Sequence, residues 1–178
     1  MSQRPTRLLH SLVYACIPPF FALLLALVCV MPKQALGLSY FAPPLVLAPL
    51  FFWGLEHPRD MPYGFVFALG LLVDAVEGQP MGFSSLYFLL FFVAVAALRR
   101  YAVQEGFVVK WASFGLLALV FSLLGWLVFG LLHDRFTPVL PVVLQAGLAV
   151  CIYPLLHRLF VGWQGYATQR RRQLALGR

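Results

Sequence analysis

Charged positions cut this chain into long apolar runs. Leu8 to Pro32 holds no Lys, Arg, Asp or Glu over 25 residues, Gln34 to Leu55 none over 22, and Gly78 to Leu98 none over 21. Trp111 to Leu132 and Phe136 to His157 add two more such runs of 22 residues each. A helix rises about 1.5 Å per residue, so about 20 apolar residues cross the roughly 30 Å hydrocarbon core of a bilayer. Each of the five runs is long enough. A sixth, Met61 to Val76, has 16 residues with Asp74 inside it. At about 24 Å it is a short span or a re-entrant segment, and the alternation of basic residues described below favours a span. The pattern predicts an all-α polytopic membrane protein with six transmembrane helices at about 8–32, 36–55, 61–76, 82–98, 109–132 and 137–158, in one transmembrane domain over 1–178.

Composition agrees and narrows the function classes. Of 178 residues, 62% are hydrophobic and 11% charged, against about 25% charged in a soluble domain. Mean hydropathy is +0.87. Too few polar residues are present to cover a soluble surface, which excludes a soluble enzyme, a nucleic-acid binder and a disordered protein. Six spans also leave no room for a separate soluble domain. Orientation follows from the basic residues, which mark the inner side of a membrane. With the N-terminus inside, 11 of the 13 Lys and Arg fall on the inner side, and only Lys33 and Arg135 fall outside. Both ends are therefore expected inside, and the net charge of +7 reflects topology, not a nucleic-acid footprint. Arg4 and Arg7 before an apolar run resemble a signal peptide, but the run is too long and no small-residue cleavage site follows. It is read as a retained first span.

Catalytic signals are missing from the pattern. Cys16 and Cys29 lie 13 residues apart on one predicted helix and cannot bond each other, and Cys151 lies in the sixth span. All three read as small hydrophobes. No metal-ligand spacing, nucleophile–base pair or glycine-rich phosphate loop is visible. The chain is expected to be no enzyme and to need no cofactor or metal. Pro18 and Pro19 fall inside the first span, and Pro43, Pro44 and Pro49 inside the second. Each is expected to break or kink its helix. Broken helices either line a cavity, as in transporters, or are kinks shaped by packing. In the loop His57 to Pro62, Asp60 is a plausible N-cap for the third span. Gly78-Gln79-Pro80-Met81-Gly82 reads as the turn between the third and fourth spans.

Asp74 is the most informative side chain. Gly70 precedes it by four residues on the same helical face, so a neighbouring helix can approach closely there. Glu77 follows by three, and two carboxylates so placed repel. A proton, a basic partner or backbone amides of the Gly78–Gly82 turn would offset this. Asp74 is thus either a cavity or partner-docking residue, or an interfacial cap of the turn. Beyond the sixth span, Trp163 and Tyr166 read as interfacial anchors, and Arg170, Arg171 and Arg172 as a tail lying on anionic lipid.

These residues carry a resemblance. Pro43-Pro44-Leu45-Val46-Leu47-Ala48-Pro49-Leu50-Phe51-Phe52-Trp53 leads into His57-Pro58, then Gly64-Phe65, Gly70-Leu71-Leu72-Val73-Asp74 and Gly78-Gln79-Pro80-Met81-Gly82. The order and spacing are similar to those of the rod shape-determining protein MreD family. The likeness concentrates in residues 41–100, and Met81 stands where the family more often has Leu. The resemblance implies a fold like the substrate-binding subunit of energy-coupling-factor transporters, six helices around an outward-facing cavity. It also implies a bacterial inner-membrane location and a part in the cell-wall elongation machinery. MreC is the implied direct partner. The MreB filament, the RodA glycosyltransferase and the elongation-specific transpeptidase are reached through it. No catalytic activity follows from the resemblance. The residues expected at a cavity or docking site are Asp74, Gly70, Pro43, Pro44, Gly78, Pro80 and Gly82.

Two functions from different classes fit: a membrane scaffold of cell-wall elongation, and a small-solute-binding subunit of a transporter. A solute pocket needs several convergent hydrogen-bonding groups. The polar residues inside the spans, among them Tyr14, Ser39, Tyr40, Asp74, Ser84, Ser85, Tyr87, Gln145 and Tyr153, are thin for that purpose and favour the scaffold.

Overall fold

The computed structural model describes residues 20–26, 44–58, 61–78, 80–133 and 138–176. Its elements are helical throughout. Segment α1 covers 20–26, followed by α2 (Leu47–Glu56), α3 (Tyr63–Glu77), α4 (Phe83–Ala102), α5 (Phe107–His133) and α6 (Val139–Leu176). Among the described residues three stretches are long and apolar enough to cross a bilayer: Phe83–Ala102, Phe107–Val128 and Val139–Gly162.

Two helix ends differ from the expected spans for a shared reason. Helix α4 continues to Ala102, past the expected end at 98, and α6 continues to Leu176, past 158. Arginine is a good helix former. Arg99, Arg100 and Arg158 mark an edge of the apolar stretch without stopping the helix.

Helix α2 differs more. A span was expected over 36–55, but the described helix begins only at Leu47, and 36–43 lie outside the described residues. Ten residues rise about 15 Å, half the hydrocarbon core. Pro44 does not kink this helix; it stands in the turn before it, where its carbonyl accepts the Leu47 N–H at 3.0 Å. Pro49 is the third helical residue. Its missing N–H falls among the first-turn donors that have no intrahelical acceptor, so it costs no helical bond. Pro18, Pro19, Pro43 and Asp60 lie outside the described residues. Pro62, with extended backbone, occupies the N-cap position of α3.

Contacts fix the relative directions of the helices. Arg99, near the end of α4, reaches the carbonyl of Leu55 near the end of α2. Lys110, near the start of α5, reaches Glu56 at the end of α2. Along α6, Tyr153 packs on Phe51 and Phe160 packs on Trp53 of α2. Helices α2, α4 and α6 therefore run one way, and α5 runs the other. Helix α3 is antiparallel to α4, since Asp74 near its end meets Gly82 and Ser84 at the start of α4.

Helix α2 is the centre of this bundle. Every residue from Leu47 to Leu55 is buried. Phe51 meets Phe114 of α5 at 5.4 Å between ring centroids and Tyr153 of α6 at 5.8 Å. Trp53 meets Phe160 of α6 at 4.7 Å and stacks on Phe21 of α1. Such ring pairs add about 0.5–1.5 kcal/mol each beyond their burial. Packing of this kind matters in a bilayer, where lipid tails are as apolar as the core and burial alone does not drive helices together. The outward faces of α5 and α6 carry Leu116, Leu124, Leu131, Leu140, Leu148 and Leu155.

Candidate functional site

The hairpin of α3 and α4 gathers most of the residues expected at a site. Helix α3 ends because Gly78 takes a left-handed conformation at φ 69° and donates its N–H to the Asp74 carbonyl. This is a glycine C-cap, a conformation that other residues adopt at a cost. Gly82, at φ 100°, turns the chain again into α4. Between them Pro80 accepts the Phe83 N–H at 3.2 Å, and Met81 stands 80% exposed at the tip.

Asp74 is fully buried against this turn. Its Oδ2 accepts the Gly82 N–H at 2.8 Å, and its Oδ1 accepts the Ser84 N–H at 2.9 Å. Those two amides belong to the start of α4, where backbone donors have no helical acceptor. The carboxylate thus caps α4 from eight and ten residues upstream. It also places negative charge at the positive end of that helix, which is favourable. One turn earlier, Gly70 lets the two backbones touch. A Cβ at Gly70 would lie 2.3 Å from the Ser85 Cα and 2.5 Å from its N. Ser85 in turn donates its hydroxyl to the Phe67 carbonyl of α3 at 3.0 Å.

Gly70, Asp74, Gly78, Pro80 and Gly82 are therefore one structural unit. Pro44 belongs to another element, the entry to α2, and Pro43 lies outside the described residues. Glu77 is half-buried one turn beyond Asp74.

The opposite end holds a second polar group that the sequence pattern did not single out. Lys110 Nζ pairs with Glu56 Oε1, the two side chains 15% and 27% exposed. Arg99 Nε donates to the Leu55 carbonyl at 2.9 Å. Two cations thus meet the last residues of α2, where carbonyls are unpaired and the helix end is negative. His157 lies beside them, against Phe52 and Phe107, with its Nδ1 buried and without a hydrogen-bond partner among the described residues. Glu56 and Lys110 are 54 residues apart, so no local spacing announces the pair. The only sequence signal was a charge at the edge of each apolar run. Among the described residues no cluster of His, Cys, Asp or Glu is placed to hold a metal ion.

Apolar helices of membrane-crossing length, with charged side chains near their ends that meet the ends of neighbouring helices, make this a helical membrane protein. Its family can be given as well. The family model of rod shape-determining protein MreD matches residues 6–163, and the chain belongs to that family. The family's role is in determining rod shape. No curated protein and no solved structure matches the chain.

Proposed function

We propose that this protein is a non-enzymatic scaffold of the bacterial cell-wall elongation machinery. In this reading it crosses the inner membrane six times with both ends inside, in a fold like that of the substrate-binding subunit of energy-coupling-factor transporters. It binds MreC, and through MreC it links the MreB filament to RodA and the elongation-specific transpeptidase. The observation that carries the reading is the family match over 6–163. The basic residues and the alternating directions of α2, α4, α5 and α6 support the topology.

The Asp74 geometry weighs against the solute-binding alternative. A pocket for a small polar solute needs free convergent polar groups. Both oxygens of the most prominent intramembrane carboxylate are taken by α4 amides. Scaffold function needs a rigid shape instead, and a capped hairpin supplies one. The test is co-purification of the detergent-solubilised protein with MreC, alongside rescue of a strain depleted of its own family member. The expected result is a complex of fixed stoichiometry and restored rods. Restored rods with no MreC in the purified material would remove MreC as the direct partner.

A further inference from the structure

Helix α6 contains Pro154 in its interior. Proline has no N–H, so the carbonyl four residues earlier, that of Val150, loses its helical donor. This happens inside the apolar stretch Val139–Gly162. Lipid offers no donor there, and an unmet carbonyl at membrane depth must find one within the protein. The indole of Trp111 supplies it: Nε1 donates to the Val150 carbonyl at 2.9 Å. Trp111 comes from the second turn of α5, 39 residues earlier in the chain. Indole nitrogen is a donor only, which suits an orphaned acceptor.

Both sides of Pro154 are packed, with Tyr153 on Phe51 of α2 and His157 on Phe107 of α5. Before it, Val150 packs over Gly115 of α5. After it, Phe160 packs on Trp53 of α2 and Phe21 of α1. Beyond those contacts the helix continues from Gly162 to Leu176 and carries Arg170, Arg171 and Arg172 near its end. The part of α6 after Pro154 is a lever about 33 Å long, and a 10° change at its base moves the tip by roughly 6 Å.

We propose that Pro154 is a joint in α6 and that the Trp111 indole is its latch, fixing the direction of the helix's basic end. The alternative is that Trp111 is an ordinary lipid-facing aromatic and its hydrogen bond has no consequence.

A cycle of full-length variants separates the two. Trp111→Phe keeps a ring and removes the donor. Pro154→Ala restores the backbone N–H, so Val150 no longer needs the indole. Parent, both single variants and the double variant are purified in detergent and melted. Spin labels at positions 119 and 168, in a background with Cys16, Cys29 and Cys151 changed to Ala, report the direction of the basic end. Trp111→Phe is expected to melt several degrees lower in the parent background and to broaden the distance distribution. In the Pro154→Ala background the same change is expected to shift neither. An equal drop in melting temperature in both backgrounds, or an unaltered distance distribution in Trp111→Phe, overturns the latch.

Discussion

Asp74→Asn is nearly isosteric, yet the structure gives it a definite cost. The carboxylate presents two acceptors to two buried amides, Gly82 N–H at 2.8 Å and Ser84 N–H at 2.9 Å. Asparagine has one acceptor oxygen, and its other atom is an NH₂ donor. Whichever way the amide is turned, one α4 N–H faces another donor. A hydrogen bond to a charged group contributes about 1.5–3 kcal/mol, and a buried donor left unmet costs about 1–3 kcal/mol. Loss of the charge at the α4 N-terminus adds about 0.5–1 kcal/mol. These terms overlap, so the expected net loss is about 3 kcal/mol. In a chain of this size that corresponds to a fall of roughly 6–12 °C in melting temperature. The assay is thermal unfolding of the purified protein in detergent. Asp74→Ala should fall further, because both amides lose their acceptor. If Asp74→Asn melts within a degree or two of the parent, the carboxylate is not holding the hairpin and the reasoning fails. If such a variant also accumulates normally but no longer supports rod shape, Asp74 belongs to a partner contact.

Three further outcomes follow from the same geometry. Gly70→Ala is expected to cost about 1–3 kcal/mol because its Cβ would sit 2.3 Å from the Ser85 backbone, whereas Gly64→Ala, with nothing within 4 Å, should be neutral or slightly stabilising in the same melt. Glu56→Gln and Lys110→Met should each lower the melting temperature, and a double-mutant cycle should return a coupling of about 1–2 kcal/mol; additive losses would mean that the pair is not formed. A reporter active only outside the inner membrane should be active when fused after Gly78 and silent after Arg100, and the reverse pattern would invert the expected topology.

Long apolar runs were legible, and so were α4, α5 and most of α6, because period and length suffice to specify a helix in lipid. The second run is less informative, since a charge-free stretch does not distinguish a helix from the turn that precedes one and 36–43 lie outside the described residues. Pro44, expected to break or kink a helix, lies in the turn where α2 begins. At the hairpin, the spacing of Gly70, Asp74 and the two turn glycines was readable because α3 and its turn are continuous in sequence. The identity of the second amide, that of Ser84, was not, because it depends on how far α4 has wound past Gly82. The Glu56–Lys110 pair and the Trp111–Val150 bond were invisible for a stronger reason. Each joins different helices across 54 and 39 residues, and only the packing of α2, α5 and α6 brings the groups together.

Both ends of the described bundle use charge in the same physical way. Asp74 meets N–H groups at the start of α4, and Arg99 meets a carbonyl at the end of α2. Each charge sits where the helix end has opposite polarity and where lipid cannot hydrogen-bond the backbone. A bundle with so few charged residues has little freedom to place them elsewhere without leaving helix ends unmet. Polar groups engaged with backbone are poor candidates for binding a solute. They are well suited to holding short helices such as α2 and α3 at fixed positions beside the longer α4, α5 and α6. On the proposed scaffold reading, recognition of a partner within the bilayer falls to exposed apolar side chains such as Leu116 and Leu148. For a protein embedded in lipid this favours shape over charge as the basis of specificity, since lipid competes with apolar contacts everywhere except where two surfaces fit closely.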